Sequence, residues 1–302
     1  MTRILVTGGT GSVGRFIVTC LLERQYQVTV AGRTPPPANM FQSPVGFRPL
    51  SLDPKTPYGP LVEDMDCLVH AGFDHVPGRY RGGEGDDIRG FWDRNFLSTL
   101  LLFHSARQAG LRRGVFLSSR AVYGIQPPGT RLAEQMECHP DTHYGAVKLA
   151  CERHLSKLSS TTQLTIASLR ATGVYGQSAA GEKHKWSGLF DDYLSGKTIE
   201  PRCGTEIHGR DVSSAVVLLL EQPAEALSGE CFNASDLLLD RHDLLDIVKK
   251  HRGCPHPLPA RADATGYNAM STEKLTQLGW QPGGKSLLRQ SVVEMLEKDL
   301  RV

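Results

Sequence analysis

Residues 7–14 read TGGTGSVG and place four glycines directly after the apolar run ILV at 4–6. Glycine loses more backbone freedom on folding than any other residue, so this stretch must need the absence of side chains. Gly8, Gly11 and Gly14 are spaced three apart and lead into an amphipathic helical pattern. This order predicts a strand, a tight turn and a helix N-terminus whose backbone N–H groups bind the pyrophosphate of a dinucleotide.

The rest of the chain continues this alternation of strand and helix. Short apolar strands are predicted at 4–7, 27–31, 67–70, 114–117 and 164–169, and helices at 12–24, 88–109, 143–158, 211–221 and 286–300. Such alternation is typical of a parallel sheet covered by helices on both faces. We therefore predict an α/β fold, a Rossmann-type doubly wound parallel sheet with a smaller C-terminal substrate-binding lobe.

The domain organisation follows from where this regular alternation stops. Residues 1–170 are predicted to form the dinucleotide-binding domain. Residues 171–302 are predicted to form mostly the substrate-binding lobe, with segments that return to the first domain. The proline-rich stretch 33–60 and the glycine- and charge-rich stretch 72–90 are predicted to be loops.

The composition excludes several classes of protein. The 302 residues include 34 basic and 32 acidic side chains, and we find no basic run with interleaved aromatics, so no nucleic-acid partner is expected. No apolar stretch approaches the roughly 20 residues that span a bilayer. The seven cysteines include no C-x-x-C pair, so reduced thiols are expected rather than disulfides or a metal site. A cytoplasmic protein that acts on a small molecule is therefore expected.

The end of the second predicted strand bears on which dinucleotide is bound. An NAD site usually has an acidic residue here that accepts hydrogen bonds from the ribose. This chain has no Asp or Glu between Glu23 and Asp53, and Arg33 follows the strand instead. A guanidinium suits a 2′-phosphate, which an acid would repel. The sequence therefore predicts that NADP is preferred, with NAD as the alternative.

Two side chains with the chemistry of proton transfer stand four residues apart. Tyr144 and Lys148 would share one face of the predicted helix 143–158. A nearby ammonium lowers the pKa of a tyrosine, which is otherwise too high for proton transfer near neutrality. Upstream, the predicted strand 114–117 delivers Ser118 and Ser119 to the carboxyl edge of the sheet, where ligands bind in open α/β folds.

At this point the sequence resembles the extended short-chain dehydrogenase/reductase superfamily, and more closely its NAD(P)-dependent epimerase/dehydratase family. The resemblance covers nearly the whole chain. The matching segments are TGGTGSVG at 7–14, DCLVHAG at 66–72, NFLST at 95–99, FLSSRAVYG at 116–124, YGAVK at 144–148, LRATGVYG at 169–176, IHGRDVSSAV at 207–216 and STEKLTQLGWQP at 271–282.

The resemblance implies a role for individual residues. Tyr144 is implied as the proton donor or acceptor, Lys148 as its activator and Ser119 as the hydroxyl that holds the substrate oxygen, with Ser118 as the neighbouring alternative. The implied cofactor contacts are Gly8, Thr10, Gly11, Ser12, Val13, Gly14, Arg33, Asp53, Ala71, Gly72, Asn95, Ser118, Tyr144, Lys148 and Val174. Trp92 and Phe96 are implied as core or dimer contacts, because in this family two helices pair across a two-fold axis. A homodimer is thus implied.

The sequence also departs from the family pattern. Arg120 and Ala121 stand where members that eliminate water have Asp and Glu, so a sugar-nucleotide 4,6-dehydratase is not expected. Gly173 stands where sugar-nucleotide epimerases usually have Asn, which weakens a diphosphate-sugar interpretation. Gly204 and Thr205 replace a charged pair in the segment before His208.

Candidate substrate contacts are Arg120, Arg170 and His208, and further cations that could meet an anionic substrate are Arg79, Arg81, Lys183, His184 and Lys185. Three functions remain open. The leading hypothesis is an NADP-dependent oxidoreductase that transfers hydride at a carbinol or carbonyl carbon of a polar, possibly sugar-derived substrate. The alternatives are a sugar or sugar-nucleotide epimerase with a tightly held cofactor, and a non-catalytic dinucleotide-binding sensor.

Overall fold

The computed structural model describes residues 1–76, 79, 82–177 and 182–299. Within this part of the chain, seven parallel strands form the central sheet in the order β3-β2-β1-β4-β5-β6-β9. These strands are β1 (Arg3–Thr7), β2 (Gln27–Gly32), β3 (Gly46–Pro49), β4 (Cys67–His70), β5 (Arg113–Ser119), β6 (Thr165–Ala171) and β9 (Cys231–Ala234). The strand order reverses between β1 and β4, which is the crevice where dinucleotides bind in doubly wound folds.

Helices cover both faces of this sheet and the second lobe. They are α1 (Gly14–Glu23), α2 (Gly59–Val62), α3 (Ile88–Trp92), α4 (Ser98–Gln108), α5 (His143–Ser160), α6 (Ser187–Leu194), α7 (Gly209–Glu221), α8 (Ala224–Leu227), α9 (Arg241–Arg252), α10 (Glu273–Gln277) and α11 (Gly284–Asp299). One buried cluster joins α1 and α7 to the strands, and a second joins α4 and α5 to the opposite face. The predicted doubly wound α/β fold is confirmed.

A smaller sheet lies at the carboxyl edge of the central one. It contains β10 (Leu237–Asp240), β8 (Cys203–His208) and β7 (Gly173–Tyr175), with β8 parallel to β7 and antiparallel to β10. Aromatic and aliphatic side chains from α6, α9 and α11 form its own core. Because β7 follows β6 after a single residue, this second lobe begins directly beside the end of the central sheet.

Two regions differ from the sequence-based expectations. The stretch 33–60 was expected to be a loop but contains the edge strand β3 and the short helix α2, since four partly exposed strand residues leave little periodicity to detect. The single helix expected at 88–109 is divided by a π-helical turn at Asp93–Leu97, between α3 and α4. The π-helical turn contains Asn95, whose side chain bonds to the preceding loop.

Candidate active site

The glycine turn after β1 has the conformation that its sequence predicts. Gly8 has a φ of +67°, and a Cβ there would lie 2.7 Å from the Cα of Gly72 in the loop after β4. The turn is closed by hydrogen bonds from Gly8 N–H to Ala31 O (2.9 Å) and from Gly11 N–H to Gly8 O (3.0 Å). Val13, the N-cap residue of α1, makes no side-chain capping hydrogen bond, while Arg15 N–H donates to Gly11 O (3.1 Å) and Phe16 N–H to Val13 O (3.1 Å) within the turn. The turn thus leads directly into the N-terminus of α1, whose dipole favours an anion such as a pyrophosphate.

A buried hydrogen-bond chain supports this turn from below. Thr99 Oγ1 donates to Asn95 O (2.6 Å), so it accepts from His70 Nε2–H (2.9 Å). His70 Nδ1 then accepts from Thr7 Oγ1 (2.6 Å), which itself accepts from Gly72 N–H (3.2 Å). Burial lowers the pKa of His70 to about 3, so its ring is neutral at physiological pH.

Asn95 extends this chain to the loop that follows Gly72. Its side-chain oxygen accepts from Asp74 N–H (2.7 Å), and its amide nitrogen donates to Asp74 O (2.8 Å). Asn95 is 2% exposed, so the structure places it as an anchor of this loop. Phe73, which lies between the anchored residues Gly72 and Asp74, contacts Tyr144 edge-to-face, with ring centroids 4.9 Å apart.

Tyr144 and Lys148 lie in the first turns of α5, which begins beside the end of β5. The hydroxyl of Thr142 caps α5 by accepting from Gly145 N–H (3.1 Å). A Cβ at Gly145 would lie only 2.4 Å from the carbonyl oxygen of Ala121. Only glycine permits this approach, which brings the start of α5 against the turn that follows Ser119. The structure thus brings the Ser119 segment together with the Tyr144 and Lys148 helix.

Lys148 is held in an aromatic environment. Its ammonium lies 4.5 Å from the ring centre of Phe73 and 4.7 Å from that of Phe116, and it donates to Leu117 O (2.7 Å). Its distance to the Tyr144 ring centre is 5.8 Å. Burial lowers the pKa of Lys148 to about 8, so the group still carries its charge at pH 7.

The two predicted serines take different positions. Ser119 is at the end of β5, and its hydroxyl accepts from Ala121 N–H (3.2 Å). Ser118 instead donates to a carboxylate oxygen of Glu152, a buried residue of α5. Adjacent strand residues face opposite sides of a sheet, which explains the difference. The position of Ser118 supports a structural role rather than the cofactor contact implied by the resemblance.

Arg170 is paired with the same carboxylate. Its guanidinium donates to Glu152 from Nε (3.0 Å) and Nη2 (2.7 Å), and the two side chains are 5% and 3% exposed. Burial alone would lower the pKa of Arg170, but the hydrogen bonds and charge of Glu152 raise it above its usual range. A guanidinium engaged in this way is not available to a substrate, so the predicted substrate contact is not supported by its position.

The residues expected around the adenosine are near the ends of β2, β3 and β4. Arg33 is exposed immediately after β2, and Ala71 and Gly72 follow β4 beside the glycine turn. Asp53 is exposed after β3, where its carboxylate accepts from Lys55 N–H (2.8 Å). Thr10, Ser12 and Val13 lie in the turn itself and in the approach to α1. Their cofactor contacts stay predictions.

The predicted substrate contacts are near the start of the second lobe. Arg120 donates to Asn268 O (2.7 Å) and lies 5.2 Å from the ring centre of Tyr267. His208 is 3% exposed and caps α7 by accepting from Arg210 N–H (3.0 Å); burial lowers its pKa to about 4. This position favours a structural role for His208.

The remaining cations differ in exposure. Lys183 and Arg79 are exposed and His184 is buried, while Arg81 lies outside the described residues. Lys185 forms an ion pair with Glu206 of β8 and lines a cavity of about 80 Å³ together with Ser12 and Val174. Sequence reasoning did not identify Phe73, Phe116, Gly145, Glu152 or Glu206. Only the glycine beside Tyr144 could have been noticed, as a sign of close helix packing.

Within the described residues, no group of three or more His, Cys, Asp or Glu side chains is arranged to hold a metal ion. No helix in that part of the chain is long and apolar enough to cross a membrane.

The comparisons with known proteins agree with this geometry. The family model described as NAD dependent epimerase/dehydratase family matches residues 4–235. The chain belongs to this family. The prediction of a short-chain dehydrogenase/reductase-type enzyme with a Rossmann fold and a nicotinamide dinucleotide cofactor is thereby confirmed.

Individual relatives of the family cover almost the whole chain. A UDP-glucose 4-epimerase from Corynebacterium glutamicum is 29% identical over 93% of this chain and 91% of its own length. The solved structure of Thermus thermophilus UDP-glucose 4-epimerase in complex with NAD has a TM-score of 0.76 at 25% identity, covering 97% of this chain and 99% of that one. The Thermotoga maritima UDP-glucose 4-epimerase with UDP-glucose has a TM-score of 0.80 at 20% identity, over 99% and 100% of the two chains. The family model and the curated relative favour the epimerase alternative over the net oxidoreductase that was the leading hypothesis, and the Thermotoga structure shows the shared fold.

Proposed function

We propose that this enzyme is an NAD(P)-dependent sugar-nucleotide 4-epimerase that uses Ser119, Tyr144 and Lys148. The observation that carries the proposal is the near full-length similarity to UDP-glucose 4-epimerases, which covers both the dinucleotide-binding sheet and the second lobe. A dehydratase is not favoured, because Arg120 and Ala121 stand where an elimination would need an acid and a base.

The turn around Gly8 fits a dinucleotide, since a Cβ there would collide with Gly72 and the turn leads directly into the N-terminus of α1, whose dipole favours a pyrophosphate. A bound nicotinamide would supply the hydride acceptor and, in the second half of the reaction, the hydride donor. Tyr144 would accept the proton of the sugar 4-hydroxyl in the first half and return it in the second. Ser119 would hold the same oxygen by hydrogen bonding in both halves.

Lys148 would make this proton transfer possible at neutral pH. Its ammonium lies 5.8 Å from the Tyr144 ring centre and is enclosed by Phe73 and Phe116, so its field is weakly screened by water.

A tightly held cofactor agrees with the way α1 joins the second lobe. Arg15 donates to Gln177 O, and the ring of Phe16 contacts His208 with centroids 5.4 Å apart. A Cβ at Gly209 would lie 2.2 Å from the Phe16 ring, so this junction is closely packed. An epimerase does not need to release its dinucleotide in each cycle, because the hydride returns to the same substrate, and close packing beside the glycine turn is compatible with a retained cofactor.

The test is turnover without added nucleotide. Purified protein should convert UDP-galactose to UDP-glucose, and denaturation should release nearly one nicotinamide dinucleotide per chain. Tyr144→Phe should lower kcat by about 10²- to 10⁴-fold. Tyr26→Phe is the matched control, since the Tyr26 hydroxyl bonds to Glu221 between α1 and α7 (2.9 Å). Net consumption of NADPH without an epimeric product would instead support the oxidoreductase, and binding without any turnover would support the sensor.

Arg33 supports a finer proposal, that NADP is preferred over NAD. Arg33 is exposed directly after β2, where we expect the ribose 2′-phosphate, and a charge-assisted hydrogen bond contributes about 1.5–3 kcal/mol. Apoprotein should therefore bind NADPH about tenfold or more tightly than NADH, and Arg33→Ala should remove most of that difference. Equal Kd values in the unmodified protein would contradict the proposal.

The family resemblance and one exposed helix face support a homodimer. Leu97 and Leu101 are each 40% exposed and lie one turn apart, whereas Trp92 and Phe96 are partly buried against the core. A second copy of the chain would cover the two leucines. Light scattering after size exclusion should give twice the monomer mass, and Leu97→Asp should reduce it to that of one chain; a monomeric unmodified protein would contradict the proposal.

A further inference from the structure

The ion pair between Lys185 and Glu206 lies directly over the backbone of Gly173. Gly173 and Glu206 are paired in register between β7 and β8. A Cβ on Gly173 would lie 2.6 Å from Lys185 Nζ and 2.9 Å from Glu206 Oε2. Both members of the pair therefore occupy the space that any other residue at 173 would fill. In this chain an ammonium and a carboxylate from other segments occupy the place of a side chain at position 173.

The pair is close to the proposed reaction site. Ser119 is paired in register with Ala171 at the end of β6, and Gly173 begins β7 two residues later. Tyr267 also connects the segment after Ser119 to the strand that carries Glu206. Its ring lies 5.2 Å from the Arg120 guanidinium, and its hydroxyl accepts from Thr205 N–H (3.0 Å). Thr205 immediately precedes Glu206.

On its other side Lys185 faces the predicted cofactor cleft. Lys185 lines the cavity of about 80 Å³ that is also bounded by Ser12 of the glycine turn and by Val174. The side chain of Lys185 is 36% exposed and that of Glu206 is 14% exposed. Lys185 is thus the exposed member of the pair, and Glu206 is the more buried one.

The charges of the pair define what it can bind. Glu206 offers carboxylate oxygens as acceptors and Lys185 offers N–H donors, so together they suit the hydroxyl groups of a sugar. The net charge of the pair is zero. A second carboxylate in this place would meet Glu206 at short distance, while the ammonium of Lys185 is already compensated.

We propose that Lys185 and Glu206 form a sugar-hydroxyl subsite that selects a neutral hexose over the corresponding hexuronic acid. This inference rests on the proposed function, because it places the hexose of a sugar nucleotide between Ser119 and the second lobe. Glu206 acts as the selective element by repelling a sugar carboxylate. Lys185 acts by neutralising Glu206, so the two residues have opposite effects on selectivity.

The test compares binding of UDP-glucose and UDP-glucuronic acid to dinucleotide-loaded enzyme by calorimetry. The unmodified enzyme should bind UDP-glucose more tightly. Glu206→Gln should shift the ratio of the two Kd values towards UDP-glucuronic acid by about tenfold or more, because Lys185 is then uncompensated. Lys185→Met should shift the ratio about as far in the opposite direction. A general folding defect would weaken both ligands together in both variants.

The matched control is the surface ion pair between Lys197 and Asp192 (2.6 Å), which lies at the end of α6. Lys197→Met should leave both Kd values unchanged. Shifts of the same sign in Glu206→Gln and Lys185→Met, or an unchanged ratio in both, would overturn the subsite while the epimerase proposal stands. Failure of the unmodified enzyme to bind either sugar nucleotide would overturn the proposed function and the subsite with it.

Discussion

Two ion pairs of the same chemical type serve different purposes in this molecule. The pair between Glu152 and Arg170 is buried, with two guanidinium nitrogens on the carboxylate and a further hydrogen bond from Ser118. The pair between Lys185 and Glu206 is partly exposed in the cleft. The first has its hydrogen-bonding capacity satisfied by protein, whereas the second keeps donors and acceptors for a ligand. A structural ion pair therefore differs from a candidate binding site less in its charges than in whether protein groups already use all of its hydrogen-bonding capacity.

The largest effect is expected from breaking the buried pair. Glu152→Gln would leave the Arg170 guanidinium without its counter-charge in a dry environment, and such losses cost about 3–5 kcal/mol. Chemical denaturation should report this as a lower unfolding free energy. The double substitution Glu152→Met with Arg170→Met should recover much of the loss, since two apolar side chains leave no unpaired charge. A single variant as stable as the unmodified protein would contradict the structural role of the pair.

A smaller effect is expected from the buried histidine beneath the glycine turn. The pKa of His70 is about 3 in the folded state, below its ordinary value of 6.5, so the unfolded chain takes up the proton first. Stability should therefore be lost as pH falls below 6.5. Relative to His70→Gln, which does not titrate, the unmodified protein should lose about 1.4 kcal/mol of unfolding free energy per pH unit. Denaturation curves between pH 7 and 5 measure this difference, and parallel pH dependence of the two proteins would contradict it.

The cleft pair should contribute little to stability. Lys185 is partly hydrated, so Glu206→Gln should change the unfolding free energy by less than about 1 kcal/mol. This small cost, together with a large change in ligand selectivity, is what separates the cleft pair from the buried one. A loss as large as that of Glu152→Gln would mean that Glu206 is structural as well.

The smallest effect is expected at the surface pair between Lys197 and Asp192. Both side chains are about half exposed or more, at 67% and 47%. Lys197→Met should leave the melting temperature unchanged within the error of the measurement. A measurable loss would show that exposure is a poor guide to the role of ion pairs in this protein.

Local patterns in the sequence were sufficient for the fold and for part of the site. The glycine spacing predicted the turn before α1, and the four-residue spacing predicted that Tyr144 and Lys148 share a face of α5. Both depend on residues that are neighbours along the chain. The strand β3 was not predicted, because four half-exposed residues at the edge of a sheet carry no apolar alternation.

Contacts between distant segments could not be predicted in this way. Phe73 lies in the loop after β4 and Phe116 in the middle of β5, and together they enclose Lys148, although nothing in either segment indicates a cation nearby. Arg170 was predicted to contact substrate. Its ion pair with Glu152 was missed, because Glu152 lies 18 residues earlier and no sequence pattern joins the two. Gly173 was noticed as a departure from the family, but the ion pair that fills its space became visible only in three dimensions.

The hydrogen-bond chain from Gly72 to Asn95 has a fixed direction, and this decides which substitutions it tolerates. Position 70 must accept from Thr7 at one end and donate to Thr99 at the other. A side-chain amide of sufficient length has this order of acceptor and donor, whereas a side chain with donors alone does not. Thr7→Val preserves shape but removes an acceptor for Gly72 and a donor for His70. Substitutions at these positions should therefore be tolerated when they keep the order of donors and acceptors along the hydrogen-bond chain, whatever the size or hydrophobicity of the new residue.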